Sequence, residues 1–262
     1  MFKDLKVGDY VTRNSYDNDI LFIIVAIEDD VAYLKGIDVR LYADSNLDDL
    51  ELASVKEDSN SDRDDVKNIK NMFNLDRSEY FYLPGKILHI DGDKDYLERC
   101  IDFYKDMHLE AYGVNLSEDN FERDITSCLE EYKPDILVIT GHDSFKKNKN
   151  KNKLSSYQNS NNFVKATIKA REFERNQDKL IIISGACQSF YEDLIKAGAN
   201  FASSPKRINI HALDPAIIAS AVALSPKNKE IDLLSLLSKT HYGSDGMGGI
   251  ITNGVMYVGY PR

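Results

Sequence analysis

Short apolar segments separated by turn-forming residues fill the first 54 positions of the chain. The apolar segments lie at residues 7–11, 20–27, 31–35 and 39–43, and Asp29-Asp30 separates the second from the third. Such close spacing of β-prone segments is typical of a small antiparallel barrel or meander. We therefore predict a small SH3-like β-barrel over residues 1–54, with a docking or regulatory role.

The pattern changes between residues 55 and 79. Charged and polar side chains run from Lys56 to Asp65 without any apolar periodicity. Segments of this composition bury too little apolar surface to fold independently. We predict a polar linker over 55–79, with a short helix near residues 66–73.

From residue 80 onward, apolar strand patterns alternate with helical patterns. Strands are predicted near 86–90, 111–114, 135–140, 180–184, 200–203 and 255–258, with helices between them. The segments 135–140 and 180–184 are almost continuously apolar, which is typical of strands buried on both faces. This alternation predicts a three-layer α/β/α domain over 80–262, with a mostly parallel sheet covered by helices.

Composition narrows the class of protein. The chain has 262 residues and a net charge of −10, from 33 basic and 43 acidic side chains. An acidic chain is a poor nucleic-acid binder, because phosphate neutralisation needs clustered Lys and Arg. No apolar run reaches the roughly 18 residues of a membrane helix, so no membrane partner is expected. Five scattered histidines without zinc spacing, and no phosphate-binding glycine motif, imply no metal and no organic cofactor.

Reactive side chains follow three of the predicted strands. Asp91, His142 and Cys187 each stand where an apolar segment ends. Because the carboxyl ends of parallel strands meet at one edge of a sheet, we expect His142 and Cys187 to be neighbours there. A thiol nucleophile needs an adjacent base of this kind. We also expect Cys187 to open a helix, whose N-terminus would lower the pKa of the thiol.

Further roles follow from this arrangement. The amide of Cys187 is a candidate oxyanion donor, together with an amide near Gly141. His142 would act first as base and then as acid, oriented by Asp143 or Asp91. The other two cysteines, Cys100 and Cys128, lie on apolar helix faces and are expected in the core. Four glycines between residues 243 and 249 predict a flexible loop or lid.

Two segments resemble the caspase-like cysteine peptidases. An apolar strand ends in His at 136–142, and a second ends in Ala-Cys at 181–187. In that family the His stands about 50 residues before the Cys. Glycine usually follows the His there and supplies an oxyanion amide, whereas here Gly141 precedes His142 and Asp143 follows it.

Longer stretches resemble the YabG peptidase family of spore-forming bacteria. They span most of the chain and lie at 9–16, 84–93, 134–143, 185–189, 197–205 and 207–215. The resemblance implies a cysteine endopeptidase made in the mother cell and associated with the developing spore. It would process spore coat and germination proteins, with Cys187 and His142 as its catalytic dyad.

The same resemblance implies cleavage after arginine, which requires an acidic pocket for the guanidinium group. Asp91, Asp93, Asp143 and Asp214 are the candidates, and the sequence does not choose among them. Two other functions remain open at this point. One is an amidotransferase-like or other Cys-dependent hydrolase, and the other is a non-catalytic spore-coat binding module.

Overall fold

A computed structural model describes residues 5–54, 61–73 and 77–261. The chain divides into two compact units, residues 1–61 and residues 62–262. Residues 55–60 and 74–76 of the predicted linker lie outside the described part. No helix among the described residues has the length and apolar character to cross a membrane.

The N-terminal unit is a five-stranded antiparallel sheet. Its strands are β1 (Tyr10–Arg13), β2 (Phe22–Glu28), β3 (Val31–Gly36), β4 (Tyr42–Asn46) and β5 (Leu50–Leu52), in the order β4-β3-β2-β1-β5. Val11, Phe22, Leu34 and Leu50 are fully buried at its centre. The sequence did not predict β5, because it is only three residues long and buries a single side chain. The SH3-like barrel form remains a prediction.

The second unit contains a six-stranded sheet. Its strands are β7 (Ile87–Asp91), β8 (Ala111–Asn115), β9 (Ile136–Thr140), β10 (Ile181–Ser184), β11 (Phe201–Ser203) and β12 (Met247–Gly249), in the order β12-β11-β10-β9-β7-β8. Five of these strands are parallel, and β12 pairs antiparallel with β11. A separate antiparallel pair joins β6 (Phe81–Leu83) to β13 (Tyr257–Gly259). The mixed α/β class with a mostly parallel sheet is confirmed.

Helices cover both faces of this sheet. They are α1 (Ser61–Met72), α2 (Lys94–Asp106), α3 (Phe121–Tyr132), α4 (Ser160–Phe173), α5 (Tyr191–Lys196), α6 (Asp214–Leu224), α7 (Leu233–Leu237) and α8 (Gly243–Gly246). Apolar side chains of α3, α4 and α5 pack with Leu88, Leu137 and Ile182 of the sheet. On the opposite face, Tyr104 of α2 reaches His89, and α2 also packs against α6. The caspase-like character of this layering remains a prediction.

The glycine-rich segment near the C-terminus is not a lid. It forms α8 and the buried edge strand β12, so the predicted flexible loop is wrong. A side chain on Gly249 would come within 2.6 Å of Asn200 O, and one on Gly248 within 2.7 Å of Tyr191 Oη. The glycines are therefore explained by close strand packing, which periodicity alone does not reveal.

The segments flanking the sheet differ from simple strand–helix junctions at two places. Ser117 does not cap α3 with its hydroxyl, because a 3-10 turn over Glu118–Asn120 separates it from that helix. Its Oγ instead accepts a hydrogen bond from Asn120 Nδ2 at 2.9 Å. The last predicted strand, 255–258, is displaced to β13 and pairs outside the main sheet.

The side chain of Arg171 connects helix α4 with the sheet of the second unit. Its guanidinium, on α4, donates to carbonyls at the amino ends of β10 and β11, including Leu180 O and Gly198 O. It also reaches Asn200 Oδ1 at 3.0 Å. Burial lowers the pKa of this group, but a guanidinium keeps its charge in proteins.

We predict that Arg171→Met lowers the free energy of unfolding by about 3 kcal/mol, because several buried carbonyls lose their donors. Urea unfolding measures the effect. Lys169→Met is the matched control, since Lys169 is exposed and pairs with Glu172 on the same helix. Equal losses in both variants would contradict the prediction.

Candidate active site

Strand register brings the predicted nucleophile and base to matching positions. β9 and β10 are parallel neighbours, with Ile139 opposite Ser184. Three residues beyond this pair, the chain reaches His142 after β9 and Cys187 after β10. Both residues therefore follow adjacent strands at the same edge of the sheet. This is the placement that a thiol nucleophile and its base require.

Cys187 lies in a turn, and the prediction that it opens a helix is wrong. Helix α5 begins only at Tyr191. Gly185 and Gln188 on either side have positive φ angles of 115° and 58°. The turn is thus built from backbone conformations that a sequence pattern does not disclose. Cys187 therefore does not stand at a helix N-terminus that would lower the pKa of its thiol.

The thiol is buried beneath a backbone segment. Cys187 has no solvent exposure. The N–H of Ile210 points at its Sγ from 3.3 Å, and the carbonyl oxygen of Ile210 lies 3.8 Å from the same sulfur. Arg207 fixes this segment by donating to Ser204 O and to Tyr157 Oη, and it pairs with Glu192.

His142 is partly exposed and lies beside two carboxylates. Its backbone N–H donates to Glu118 Oε1 at 2.8 Å, and its Nδ1 is 3.8 Å from the same oxygen. Its Nε2 is 3.7 Å from Asp93 Oδ2. The ring of Tyr96 lies 5.9 Å away, centroid to centroid. The acidic side chains come from the segments after β7 and β8, whereas Cys187 follows β10 on the other side of β9.

Glu118 is a site residue that the sequence analysis missed. Burial acts to raise its pKa, but the nearby ring of His142 and the hydrogen bond from the His142 backbone hold the pKa below its usual value. The residue follows the edge strand β8, so the rule that selected Asp91 would also have selected it. The sequence analysis named reactive residues only after β7, β9 and β10.

Asp143 does not orient His142 through its carboxylate. Its two oxygens accept hydrogen bonds from the backbone N–H groups of Ser144 and Asn159 and from the hydroxyls of Ser160 and Ser189. Burial raises the pKa of Asp143, and these four donors offset part of that effect. The side chain is 5% exposed and joins the loops after β9 and β10 to the start of α4.

The Asp91 side chain is also buried and belongs to a chain of hydrogen bonds. Tyr104 Oη lies 3.0 Å from His89 Nδ1, and His89 Nε2 lies 2.7 Å from Thr140 Oγ1. Thr140 in turn donates to Asp91 Oδ2 at 2.7 Å. Since the single hydroxyl proton of Thr140 goes to Asp91, His89 must donate from Nε2. All four side chains are fully buried, so this network links α2, β7 and β9.

Asp214 belongs to a histidine cluster. Its Oδ1 accepts from the backbone N–H of His241 and lies 3.0 Å from His241 Nδ1, and its Oδ2 accepts from His211 N. The rings of His211 and His241 stack at 3.5 Å between centroids. Asp65 Oδ2 lies 3.4 Å from His241 Nε2.

Ligand atoms of His211, Asp214 and His241 all lie within 4.8 Å of one another, so these residues offer a possible metal-binding group. However, the backbone N–H of Leu213 donates to His211 Nδ1 at 3.2 Å. That bond puts the proton of a neutral His211 ring on Nε2 and leaves no lone pair for a metal. We therefore interpret the cluster as a network of ion pairs and hydrogen bonds.

The structure thus reduces the number of candidate side chains for the predicted acidic pocket. The carboxylates of Asp91, Asp143 and Asp214 all accept hydrogen bonds inside the protein. Asp93 caps α2 through Oδ1, which accepts from the N–H groups of Asp95 and Tyr96, and directs Oδ2 toward His142.

Among the predicted oxyanion donors, Gly141 stands in an unfavourable place. A Cβ on Gly141 would lie 2.5 Å from Glu118 Oε1, so a carboxylate already occupies the space beside it. An oxyanion there would meet like charge. The remaining cysteines fit their predicted core positions, since Cys100 and Cys128 are both buried. Burial raises the pKa of Cys128, which keeps that thiol protonated.

Comparisons with known proteins give a consistent result. Residues 6–261 match a family model described as YabG peptidase U57. The Sporulation-specific protease YabG of Bacillus subtilis (strain 168) is 39% identical over 285 aligned residues, which cover 98% of this chain and 98% of that protein. The similarity therefore spans both units, and it includes the segments that carry His142 and Cys187.

The covering segment over Cys187 gives a prediction about thiol access. We expect Arg207→Ala to raise the rate of Cys187 alkylation by iodoacetamide roughly 5–30-fold, because losing about 1–2 kcal/mol of local stability raises the open population by that factor. Mass spectrometry of the Cys187 peptide measures the rate. Lys206→Ala is the control, since Lys206 is exposed. An unchanged rate in Arg207→Ala would exclude this role for Arg207.

The histidine cluster gives a prediction about pH and stability. Burial acts to lower the pKa of His241, but the hydrogen bond to Asp214 and the charges of Asp214 and Asp65 outweigh it and raise the pKa. Arg99 is the opposing positive charge. A raised folded-state pKa stabilises the fold fully below the unfolded value of about 6.5, and this stabilisation is lost as pH rises through the folded value.

We therefore predict that His241→Gln destabilises the protein more at about pH 6 than at about pH 9. Urea unfolding at the two pH values measures the difference. His108→Asn is a suitable control, because His108 is exposed and has a positive φ that Asn tolerates. A loss that is independent of pH in His241→Gln would show that the charge of His241 does not contribute.

Proposed function

Because this chain belongs to the YabG peptidase family, we propose that it is a sporulation-associated cysteine endopeptidase with Cys187 as nucleophile and His142 as general base. Family membership makes it a peptidase, and this replaces the amidotransferase-like and non-catalytic alternatives. Its substrates are accordingly proteins. The identity of the nucleophile and of the base is our proposal.

One observation supports this assignment above the others. The register of β9 and β10 gives His142 and Cys187 matching positions at the carboxyl edge of a parallel sheet. Cys100 lies within α2 and Cys128 within α3, and both are buried. Cys187 is therefore the cysteine that stands where parallel sheets commonly place their reactive groups.

The proposed reaction follows from the chemistry of this pair. His142 takes the proton of the Cys187 thiol, and the sulfur attacks the carbonyl carbon of the scissile peptide bond. The oxygen of that carbonyl becomes negative and is stabilised by the N–H of Cys187. His142 then gives its proton to the leaving amine, and an acyl-enzyme remains. Water, deprotonated by His142, hydrolyses the thioester and restores the thiol.

A peptide must displace the covering segment before this reaction begins. Ile210 contacts the sulfur through both its N–H and its carbonyl group. We propose that residues 207–210 move when a protein substrate binds. The described arrangement corresponds to a closed state in which the nucleophile is shielded from peptides.

For specificity, we propose spore coat and germination proteins as substrates and cleavage after arginine, as the family resemblance implies. The enzyme would be made in the cytoplasm of the mother cell and associate with the developing spore. Of the acidic side chains considered for the arginine pocket, Asp93 has an oxygen beside His142. The N-terminal sheet unit is proposed to dock substrates.

The proposal predicts a loss of peptidase activity in two single variants. Cys187→Ala and His142→Ala should each lower kcat/KM on an arginine-containing fluorogenic peptide at least about a thousandfold, as dyad losses do in comparable hydrolases. Cys128→Ala should keep its activity, because that thiol is buried on α3. Thermal unfolding checks that each variant is folded. Full activity in a folded Cys187→Ala protein would rule out this nucleophile.

A further inference from the structure

We propose that Glu118 is the positioning residue of the active site, and that its carboxylate holds the His142 ring through Nδ1. This inference rests on the proposed function, in which His142 is the general base. Nε2, which lies 3.7 Å from Asp93 Oδ2 in the closed state, would then exchange a proton with the thiol once a substrate opens the site. Sequence patterns gave Glu118 no role, and the acidic residues considered there were Asp91, Asp93, Asp143 and Asp214.

The first support is that Glu118 is anchored to the residue it would position. Its Oε1 accepts the backbone N–H of His142 at 2.8 Å and lies 3.8 Å from Nδ1 of the same residue. The side chain is only 16% exposed. One oxygen therefore holds the backbone of His142 and lies beside the near edge of the imidazole. A ring contact of this length is common before substrate binds, because catalytic hydrogen bonds tighten in the complex.

Two glycines supply the second support. A Cβ on Gly92, which follows β7, would collide with the Glu118 carboxylate, and so would a Cβ on Gly141, which follows β9. Neither glycine has a positive φ that would itself demand glycine. The ends of two neighbouring strands thus leave space at one point, and Glu118 fills it from the segment after β8. Space of this kind on rigid strand ends indicates a carboxylate held in a defined position.

Asp93 is the competing candidate, and its geometry has another explanation. Its Oδ1 accepts from the N–H groups of Asp95 and Tyr96 at 2.9 and 3.1 Å, which caps α2. The position of its Oδ2, 3.7 Å from His142 Nε2, follows from that capping role. The Glu118 carboxylate accepts from the N–H of His142, which follows a different strand, as well as from its own backbone N–H. Its contact with His142 therefore goes beyond the local geometry of the turn at 118–120.

The charge of Glu118 also suits the chemistry. His142 becomes an imidazolium when it takes the thiol proton, and a carboxylate at Nδ1 stabilises that cation. The nearby ring of His142 and the hydrogen bond from the His142 backbone outweigh the effect of burial and hold the pKa of Glu118 below its ordinary value, so the carboxylate is ionised at neutral pH. Glu118, Asp93 and Tyr96 are titratable side chains that lie beside the ring, and Cys187 follows the neighbouring strand.

The test compares Glu118→Gln with the wild-type enzyme over a range of pH. Gln keeps an oxygen acceptor for the His142 N–H but removes the charge, so the fold is retained. We expect kcat to fall roughly 10–100-fold with KM little changed, since outer-shell partners of a reactive His have effects of this size. We also expect the pH–activity profile to move to lower pH, because the imidazolium is no longer stabilised.

Two further variants make the result decisive. Glu122→Gln is the matched control, because Glu122 lies on the surface of α3 and pairs with Lys165 at 3.0 Å; it should leave kcat and the profile unchanged. Asp93→Asn tests the competitor. An unchanged kcat and pH profile in Glu118→Gln would overturn the inference, and so would the predicted shift appearing only in Asp93→Asn.

The same assays separate this inference from the proposed function. If folded Cys187→Ala and His142→Ala proteins retain activity, the dyad is wrong and Glu118 has nothing to position. If both are inactive while Glu118→Gln behaves as wild type, the dyad stands and the inference about Glu118 fails. A loss of folding in Glu118→Ala but not in Glu118→Gln, without the pH shift, would assign Glu118 a purely structural role.

Discussion

The buried carboxylate of Asp143 is the constraint on which the rest of the site depends. It receives four hydrogen bonds, and their donors come from the loop after β9, the start of α4 and the turn after β10. These are the segments that carry His142 and Cys187. A buried carboxyl group is tolerated only when such donors satisfy it, so the two loops cannot separate without leaving buried polar atoms unsatisfied. One side chain therefore fixes the spacing of two reactive groups on different strands.

Much of the second unit follows from local pattern. The strands β9 and β10 are predictable because burial on both faces requires a continuous apolar segment. The helices α2 and α3 are predictable because burial on one face requires apolar residues at helical spacing. Even the edge that holds the candidate site follows from topology, since parallel strands share their carboxyl end. The short strands β5, β6 and β12 carry no such pattern, because three residues are too few for a period.

What the sequence could not disclose is set by contacts between distant residues. Cys187 was expected at a helix start, but Gly185 and Gln188 turn the chain first. The sequence did not distinguish Asp91, Asp143 and Asp214 as candidates for the acidic pocket. Only the structure shows that each carboxylate accepts hydrogen bonds inside the protein. The position of Glu118 after β8 is visible in the sequence, but only the folded structure shows that its carboxylate meets the N–H of His142. Residue type reports what a group is able to do, whereas its neighbours decide whether it is available.

The burial of Cys187 beneath Ile210 has a consequence for the lifetime of the protein. Oxidation to sulfenic acid and exchange with small disulfides both require an accessible thiolate. A sulfur with no exposed surface, covered by a peptide group, is protected from peroxide and from mixed disulfides for as long as the cover stays closed. If Cys187 is the nucleophile, as proposed, the closure that shields it from passing peptides also preserves it chemically, and both forms of protection end when a substrate opens the segment.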